Sequence, residues 1–466
     1  MALGFKPLGT PSSNGHRPKP PVVVDLHGEP VDRRADAATV AALFAVVQLV
    51  TPAALILRGL PLSITPAAVI GLVGIVLWML AQFTTNLGAA KGRNPIRTAV
   101  FLFFVANLVS YGYATYGYLP SDEINLADNN LVLLLANLGV ALLVCDGVRG
   151  LARLDLVLKG AVVAGAIIGM VGAVQFVTGF DPTRYMVLPG LRLSWEDLYV
   201  FERGSVRRVS ATTAHPIEFG VICAMLLPIA FHYAVKARAL AKPYLRWWVC
   251  TGLIGAGLMF SVSRSAVLSM LGIGVVLMAG WPRKRRWQAL GALAGFLVVM
   301  KVAVPGLLGT FFDLFADFFT DSSIQYRTHD YSIAVAEIER HLWLGRATGT
   351  WYVPKYQVFD NQYIQSTIDT GLIGVAIYAG MLICAVVVGL RARSLSADPH
   401  ARDLALTLAA VMVAPILASA TFDLLSFATV AGLTFLLVGA VGALLRAVRE
   451  ENQPMHSSGP VSAVTR

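Results

Sequence analysis

The sequence predicts an all-α, polytopic integral membrane protein with about twelve transmembrane helices and large extracytoplasmic loops. Three observations predict it. Hydrophobic residues make up 56% of the 466 and charged residues 14%, a balance that soluble proteins of this length do not carry on their surfaces. Apolar runs of about 20 residues, enough to cross roughly 30 Å of hydrocarbon, recur from near residue 38 to near residue 446. Lys and Arg clusters fall in alternate short connections, as the positive-inside bias requires.

Residues 1–37 are polar and Pro-rich, lack an apolar signal-peptide core, and read as a disordered cytoplasmic tail ahead of a transmembrane domain over 38–448. The first three spans cover about 38–57, 64–83 and 98–117. Lys91, Arg93 and Arg97 put the connection between the second and third in the cytoplasm, while 118–129, with Asp122, Glu123 and Asp128 and no Lys or Arg, faces the other side. Spans at 130–147 and 158–180 lead into a first long outer loop, 181–216. The next four spans, about 217–235, 245–262, 265–281 and 288–306, carry Lys236 to Arg246 and Arg283 to Arg286 on the cytoplasmic side. A second long outer loop, 307–371, includes "YSIAVAEIERHLWLG", which predicts an amphipathic helix with Ile333, Ala336, Ile338, Leu342 and Leu344 on one side. The last spans, about 372–390, 403–420 and 424–446, bring the 449–466 tail back to the cytoplasm, so both termini lie inside the cytoplasmic membrane.

The formal charge of +10 is spent on these topology-setting clusters, which excludes nucleic acid as the partner it would suggest in a soluble protein. Cys145, Cys223, Cys250 and Cys384 sit in apolar runs without metal-ligand spacing and read as packing residues. Asp313, Asp317 and Asp321 read as a solvated helical stripe, so no metal and no cofactor is expected. The sequence has no internal repeat.

The outer face is where chemistry is expected. Arg264, in "FSVSRSAVL", sits in a turn too tight for a loop, and a charge within a span costs about 2.5–3.5 kcal/mol even on the lenient insertion scale. It snorkels or faces a polar cavity. Arg208 at the entrance to the sixth span and Arg327 in the second long loop lie on the same side. Guanidinium forks suit phosphate oxygens, and a lipid-linked diphosphate is a natural ligand there. The competing reading pairs the arginines with Asp181, Glu196, Asp197 and Glu202 or with headgroups. In "VFDNQYIQSTIDTGLIG", Asp360 and Asn361 precede a helical segment, where they serve chemistry or cap the helix.

Four segments carry a resemblance. "RVSATTAHPIEFGVICAMLLPIA", "FSVSRSAVLSMLGIGV", "SIQYRTHDYSIAVAEIERHLWLG" and "DNQYIQSTIDTGLIG" resemble, in order, segments of the O-antigen ligase and O-antigen polymerase superfamily. The last is similar to the ligase motif of a His followed by Asn, Ser or Gln, nine residues, Gly, two residues and a small residue. Here the positions are Asn361, Gly371 and Gly374. The resemblance implies a fold of the O-antigen ligase type and transfer of a glycan from a polyprenyl diphosphate carrier to a glycan or lipid-glycan acceptor, alongside glycan-assembly partners and membrane lipids. It also implies inversion and a base at the motif position, here Asp360 with Asn361 beside it, while Arg208, Arg264 and Arg327 on the diphosphate supply a positive field that makes a metal dispensable. One departure stands out: Asp360 occupies the place of the motif's His, and His215 and His329 are rival bases on the same face. A transporter or flippase, or a non-catalytic component of a glycan-assembly complex, is the alternative. Glu218, Lys301, Asp403 and Asp423 fall near span ends rather than the midplane, against ion coupling. Polymerase and ligase are not distinguished by any motif.

Overall fold

The computed structural model describes residues 36–452 except 61, 84–91, 118, 187, 195–200, 204–205, 305, 308 and 310–321; for 201–203, 206 and 322–330 it describes the backbone alone. Most of both tails, and Asp313, Asp317 and Asp321, therefore lie outside the described residues. Every expected apolar run forms helix: α1 (Ala37–Val50), α2 (Pro66–Phe83), α3 (Pro95–Tyr116), α4 (Ser121–Gly147), α5 (Gly150–Thr178), α6 (Pro216–Ala239), α7 (Leu245–Phe260), α8 (Arg264–Gly280) and α9 (Arg283–Ala303). After α10 (Ser322–Arg340) come α11 (Gln362–Leu395), the paired α12 (Pro399–Val411) and α13 (Val413–Ala418), and α14 (Ala428–Glu451). Nine segments among the described residues are long and apolar enough to cross a membrane, with α1, α7 and α8 shorter but apolar.

Helices α6 and α14 are buried nearly all round, while the outward sides of α2, α3 and α9 expose Val76, Leu80, Leu102, Leu108, Val298 and Val302. Outward apolar faces fit a chain whose solvent is lipid. Without water to drive helices together, close backbone approach does so, and small residues permit it. Helices α2 and α4 cross at Gly71 and Gly139, where a Cβ on either would strike the other helix's backbone.

Side chains tie the connections into two ends. At the basic end Arg97 meets Asp146 at 3.2 Å, Arg446 reaches the carbonyls of Asp146 and Val148, and Asn94 donates to Gly442 at 3.2 Å. There too Asp403 gathers Arg285 at 2.8 Å, the Trp281 indole at 3.1 Å and His232. The opposite end carries both long connections. Strand β1 (Leu55–Leu57) pairs antiparallel with β2 (Leu191–Leu193), joining the α1–α2 connection to the first long loop. In that loop β3 (Phe201–Arg203) also pairs with β4 (Val206–Arg208). The fully buried Glu218, which opens α6, accepts the backbone N–H groups of Ala214, Thr429 and Val430 at 2.9–3.0 Å, so it caps the start of α14. This is the loop end below.

Two expectations need correction. The loop read as 307–371 does not run to Gly371, because α11 begins at Gln362, inside it. Helix α10 buries Ala334 and Glu337; of the side expected to be apolar, Ile338 and, beyond the helix, Leu344 are half-buried, but Ala336 is exposed and Ile333 and Leu342 are each 37% exposed. The reason is tertiary. Ala334 packs on Phe359 and Ile368, and Arg346 draws Glu337 inward at 2.8 Å.

Candidate active site at the loop end

The polar pair before α11 divides its roles. The Asn361 side-chain oxygen accepts the N–H groups of Tyr363 at 3.0 Å and Ile364 at 3.3 Å, so Asn361 is the helix cap. Asp360, one residue earlier and exposed, is not. The helix it precedes is broken. Gly371 has φ 68° and ψ −174°, a conformation open to glycine alone, and it divides α11 into a half-helix, Gln362 to Thr370, and the membrane span. Breaking a helix frees backbone groups, and a strap from the second long loop takes them up. Arg346 and Ala347 donate to the carbonyls of Ile368 (3.0 Å) and Asp369 (2.9 Å), and Leu372 donates to Leu342 (2.9 Å). The strap lies so close that a Cβ on Gly371 would enter the carbonyl of Trp343. Gly374 sits one turn on, against Thr370.

The strap is itself anchored. Arg346 bridges Glu123 of α4 at 2.7 Å and Glu337 of α10 at 2.8 Å, and Lys355 meets Asp122 and Glu123 at 2.8 and 2.7 Å. Burial works to lower the Arg346 pKa, but the Tyr356 hydroxyl and the Glu123 carboxylate hold the guanidinium above its ordinary value. Arg346 is a fixed structural cation.

The head of the half-helix rests on the Ser419–Phe427 connection before α14. Gln362 donates its N–H to the carbonyls of Ser419 (2.8 Å) and Phe422 (3.2 Å) and accepts the Leu425 N–H at 2.7 Å. This seat brings a second carboxylate, Asp423, beside Asp360. Burial pushes Asp423 up to about 6, and the charge of Asp360 adds to the rise.

At the far end of the same connection the Phe427 ring lies 6.0 Å from that of His215. His215 caps α6, its Nδ1 accepting the Ile217 N–H at 3.2 Å. Burial, and then the positive charge of Arg208, lower its pKa to about 4. A nitrogen engaged in a cap and held neutral is a poor proton acceptor for catalysis. Arg208 ends β4, with its Nε donating to the Ser261 carbonyl at 3.2 Å, while the next residue, Val209, donates its N–H to Phe260 at 3.3 Å. Arg264 opens α8 three residues beyond Ser261, after Ser263, whose side chain caps that helix. One of the expected arginines, Arg264, thus opens a helix whose N-terminal dipole adds positive potential, and a second, Arg208 of β4, is hydrogen-bonded to the turn before it. The side chains of Arg327 and His329, on α10, lie outside the described residues.

A cavity of about 380 Å³ is walled by Gln362, Asp423, Leu425 and Ser426 together with helices of the bundle. Its wall takes amides from Gln48 of α1, Asn107 of α3, Asn130 and Asn137 of α4, and Gln362 and Gln365 of α11, with Asp369, Asp423, Trp351 and Tyr352. Among the described residues lining it none is Lys or Arg. Among the described residues no group of three or more His, Cys, Asp or Glu is placed to hold a metal. All four cysteines are free, Cys145 and Cys223 being buried. Sequence reasoning missed the amide-lined cavity, and it treated Asp423 only as a charge near a span end. The signal for Asp423 was its place in "SATFDLLSF", a short connection beside the long loops.

An all-α bundle with apolar outer faces and a polar cavity walled by helices and connecting residues defines a polytopic membrane protein. Residues 249–379 match the family model described as O-antigen ligase, which supports membership of the O-antigen ligase and polymerase superfamily. The matched region runs from α7 into α11 and takes in the Arg264 turn, the strap and the Asp360 to Gly374 segment. No curated protein matches the chain. The activity that goes with the family is that of an O-antigen ligase or polymerase, which transfers glycan from a lipid-linked donor to a glycan acceptor in a membrane.

Proposed function

We propose that the chain transfers a glycan from a polyprenyl diphosphate carrier to an acceptor hydroxyl at the outer face of the cytoplasmic membrane, with both termini cytoplasmic. The observation that carries this reading is the hydrogen bond from Arg208 to the turn that Arg264 follows, at the same end as the Ser419–Phe427 connection and its carboxylates Asp360 and Asp423. The guanidinium groups of Arg208 and Arg264, joined by Arg327, hold the diphosphate and offset the charge that grows on it as the anomeric bond breaks. The carboxylate pair at the head of the half-helix takes the acceptor proton. Attack opposite the leaving group inverts the anomeric carbon, and the activated donor supplies the free energy without a metal or nucleotide. Asn361 serves by fixing the half-helix that presents Asp360.

The test is Arg264→Lys, which keeps the charge and loses the fork. Turnover of lipid-linked donor in membrane vesicles falls about 100-fold or more while insertion is unchanged. Wild-type polymer formation by this variant refutes the diphosphate assignment. A deletion strain separates the two acceptors: single repeat units left on the carrier identify a polymerase, and unattached full-length polymer identifies a ligase.

A further inference from the structure

We propose that the amide-lined cavity seats an uncharged sugar of the acceptor glycan, and that Asp423, which lines it, is the carboxylate that meets the reacting hydroxyl. The inference rests on the glycosyl-transfer reading but assigns what that reading leaves open, the acceptor's seat and which carboxylate faces it.

The lining chemistry selects the ligand. A diphosphate would find no cation on the described wall, and a sugar acid would face Asp369 and Asp423. A hydrocarbon tail would bury amides and carboxylates against carbon, which polar groups resist. Side-chain amides and carboxylates match the mixed donors and acceptors of sugar hydroxyls, and Trp351 offers an apolar ring face for the C–H side of a pyranose. That ring is held in place, stacked on Tyr356 at 4.4 Å with its indole donating to Gln357 at 2.6 Å. Asn137 adds a second signal. It lies well inside α4, and a polar side chain so deep in a spanning helix is costly unless it faces a polar space. The cavity volume lies within the roughly 300–1,000 Å³ of small-ligand sites.

The position of the carboxylates decides between them. Asp423 is part of the cavity wall, as is Asp369, which is engaged by the Gln365 amide at 3.0 Å, whereas Asp360 is exposed and absent from the wall. In the reaction the acceptor oxygen forms its bond to the anomeric carbon, the bond from that carbon to the phosphate oxygen breaks, and the diphosphate leaves with the electron pair. The hydroxyl proton passes to Asp423. Asp360 acts on Asp423 through its charge, which keeps the neighbouring carboxyl basic.

The experiment uses the full chain in nanodiscs, with neutral oligosaccharides released from the host cell's own surface polymer as one probe and inorganic pyrophosphate as the other. Gln365→Leu and Asn137→Leu weaken oligosaccharide binding about tenfold and leave pyrophosphate binding unchanged; Arg264→Lys does the reverse. Variants that bind the oligosaccharide as the wild type does, or a wild type that shows no saturable binding, overturn the seat. Loss of polyprenyl phosphate binding in their place overturns it too, by giving the cavity to the carrier's tail. If Arg264→Lys keeps its pyrophosphate affinity while the cavity variants lose the sugar, the diphosphate reading falls and the seat stands. In turnover, Asp423→Asn removes the pH limb near 6 with about a 100-fold loss in kcat, and Asp360→Asn moves that limb to lower pH. A limb that survives in Asp423→Asn removes Asp423 from the reaction.

Discussion

Alanine at Gly371 tests the strap and the broken helix together. The native φ of 68° with ψ near 180° lies where only glycine rests comfortably, so a side chain there costs about 1–3 kcal/mol in backbone strain. The new Cβ would also lie far closer to the Trp343 carbonyl and the Leu344 nitrogen than the 3.4–4 Å of ordinary contact. Strap and helix must separate. That loosens the bonds from Leu372 to Leu342 and from Ala347 to Asp369, each worth about 1 kcal/mol net. Together these give a loss of about 3–5 kcal/mol, read as a lower unfolding temperature in detergent and earlier proteolytic cleavage within 341–361. Gly380, on the same helix, has an ordinary φ and open space around its Cβ position, so Gly380→Ala is neutral or slightly stabilising. A Gly371→Ala protein as stable as the wild type refutes the strap as the reason for the glycine.

Three further outcomes follow from the same geometry. Arg346→Leu removes the cation shared by the buried Glu123 and Glu337, leaving Lys355 on the first and Arg340 on the second, and costs about 1.5–3 kcal/mol in thermal unfolding, whereas Arg346→Lys recovers part of it. Asp423 has a folded pKa raised from 3.8 to about 6, so the native state holds more protons than the unfolded state within that window. Stability therefore falls as pH rises from about 4 to 6, by up to about 3 kcal/mol, and Asp423→Asn flattens the profile. His215, lowered from 6.5 to about 4, works in the opposite sense: stability is present above 6.5 and is lost as pH falls toward 4. His215→Asn keeps a cap, removes that acid sensitivity in a pH series of unfolding curves, and retains turnover. Collapse of turnover in His215→Asn restores the histidine as the base.

The spans were legible because helix length and hydrophobicity are local properties. Each apolar run must satisfy its own backbone in lipid, and helix is the way one segment does so. The ends of the bundle were legible from charge placement, and the Asn361, Gly371 and Gly374 spacing could be quoted as a motif. Its reason could not, since Gly371 is required by a backbone from the strap about 28 residues earlier in the chain. The buried face of α10 was misread for the same cause. Periodicity ranks apolar residues, but Glu337 is drawn inward by Arg346, a partner no helical period reveals.

Composition, hydrophobic runs and charge alternation by themselves determined an all-α membrane bundle with two long loops at one end, because those signals reside in consecutive residues. Only the tertiary structure decided that Arg208 meets the Arg264 turn across 53 residues to Ser261, and that the Asp423 connection seats the half-helix across 63 residues between Gln362 and Leu425. It alone assembled a cavity from the amides of four helices. Such groups act through distance in space, and chain folding sets that distance independently of separation along the sequence.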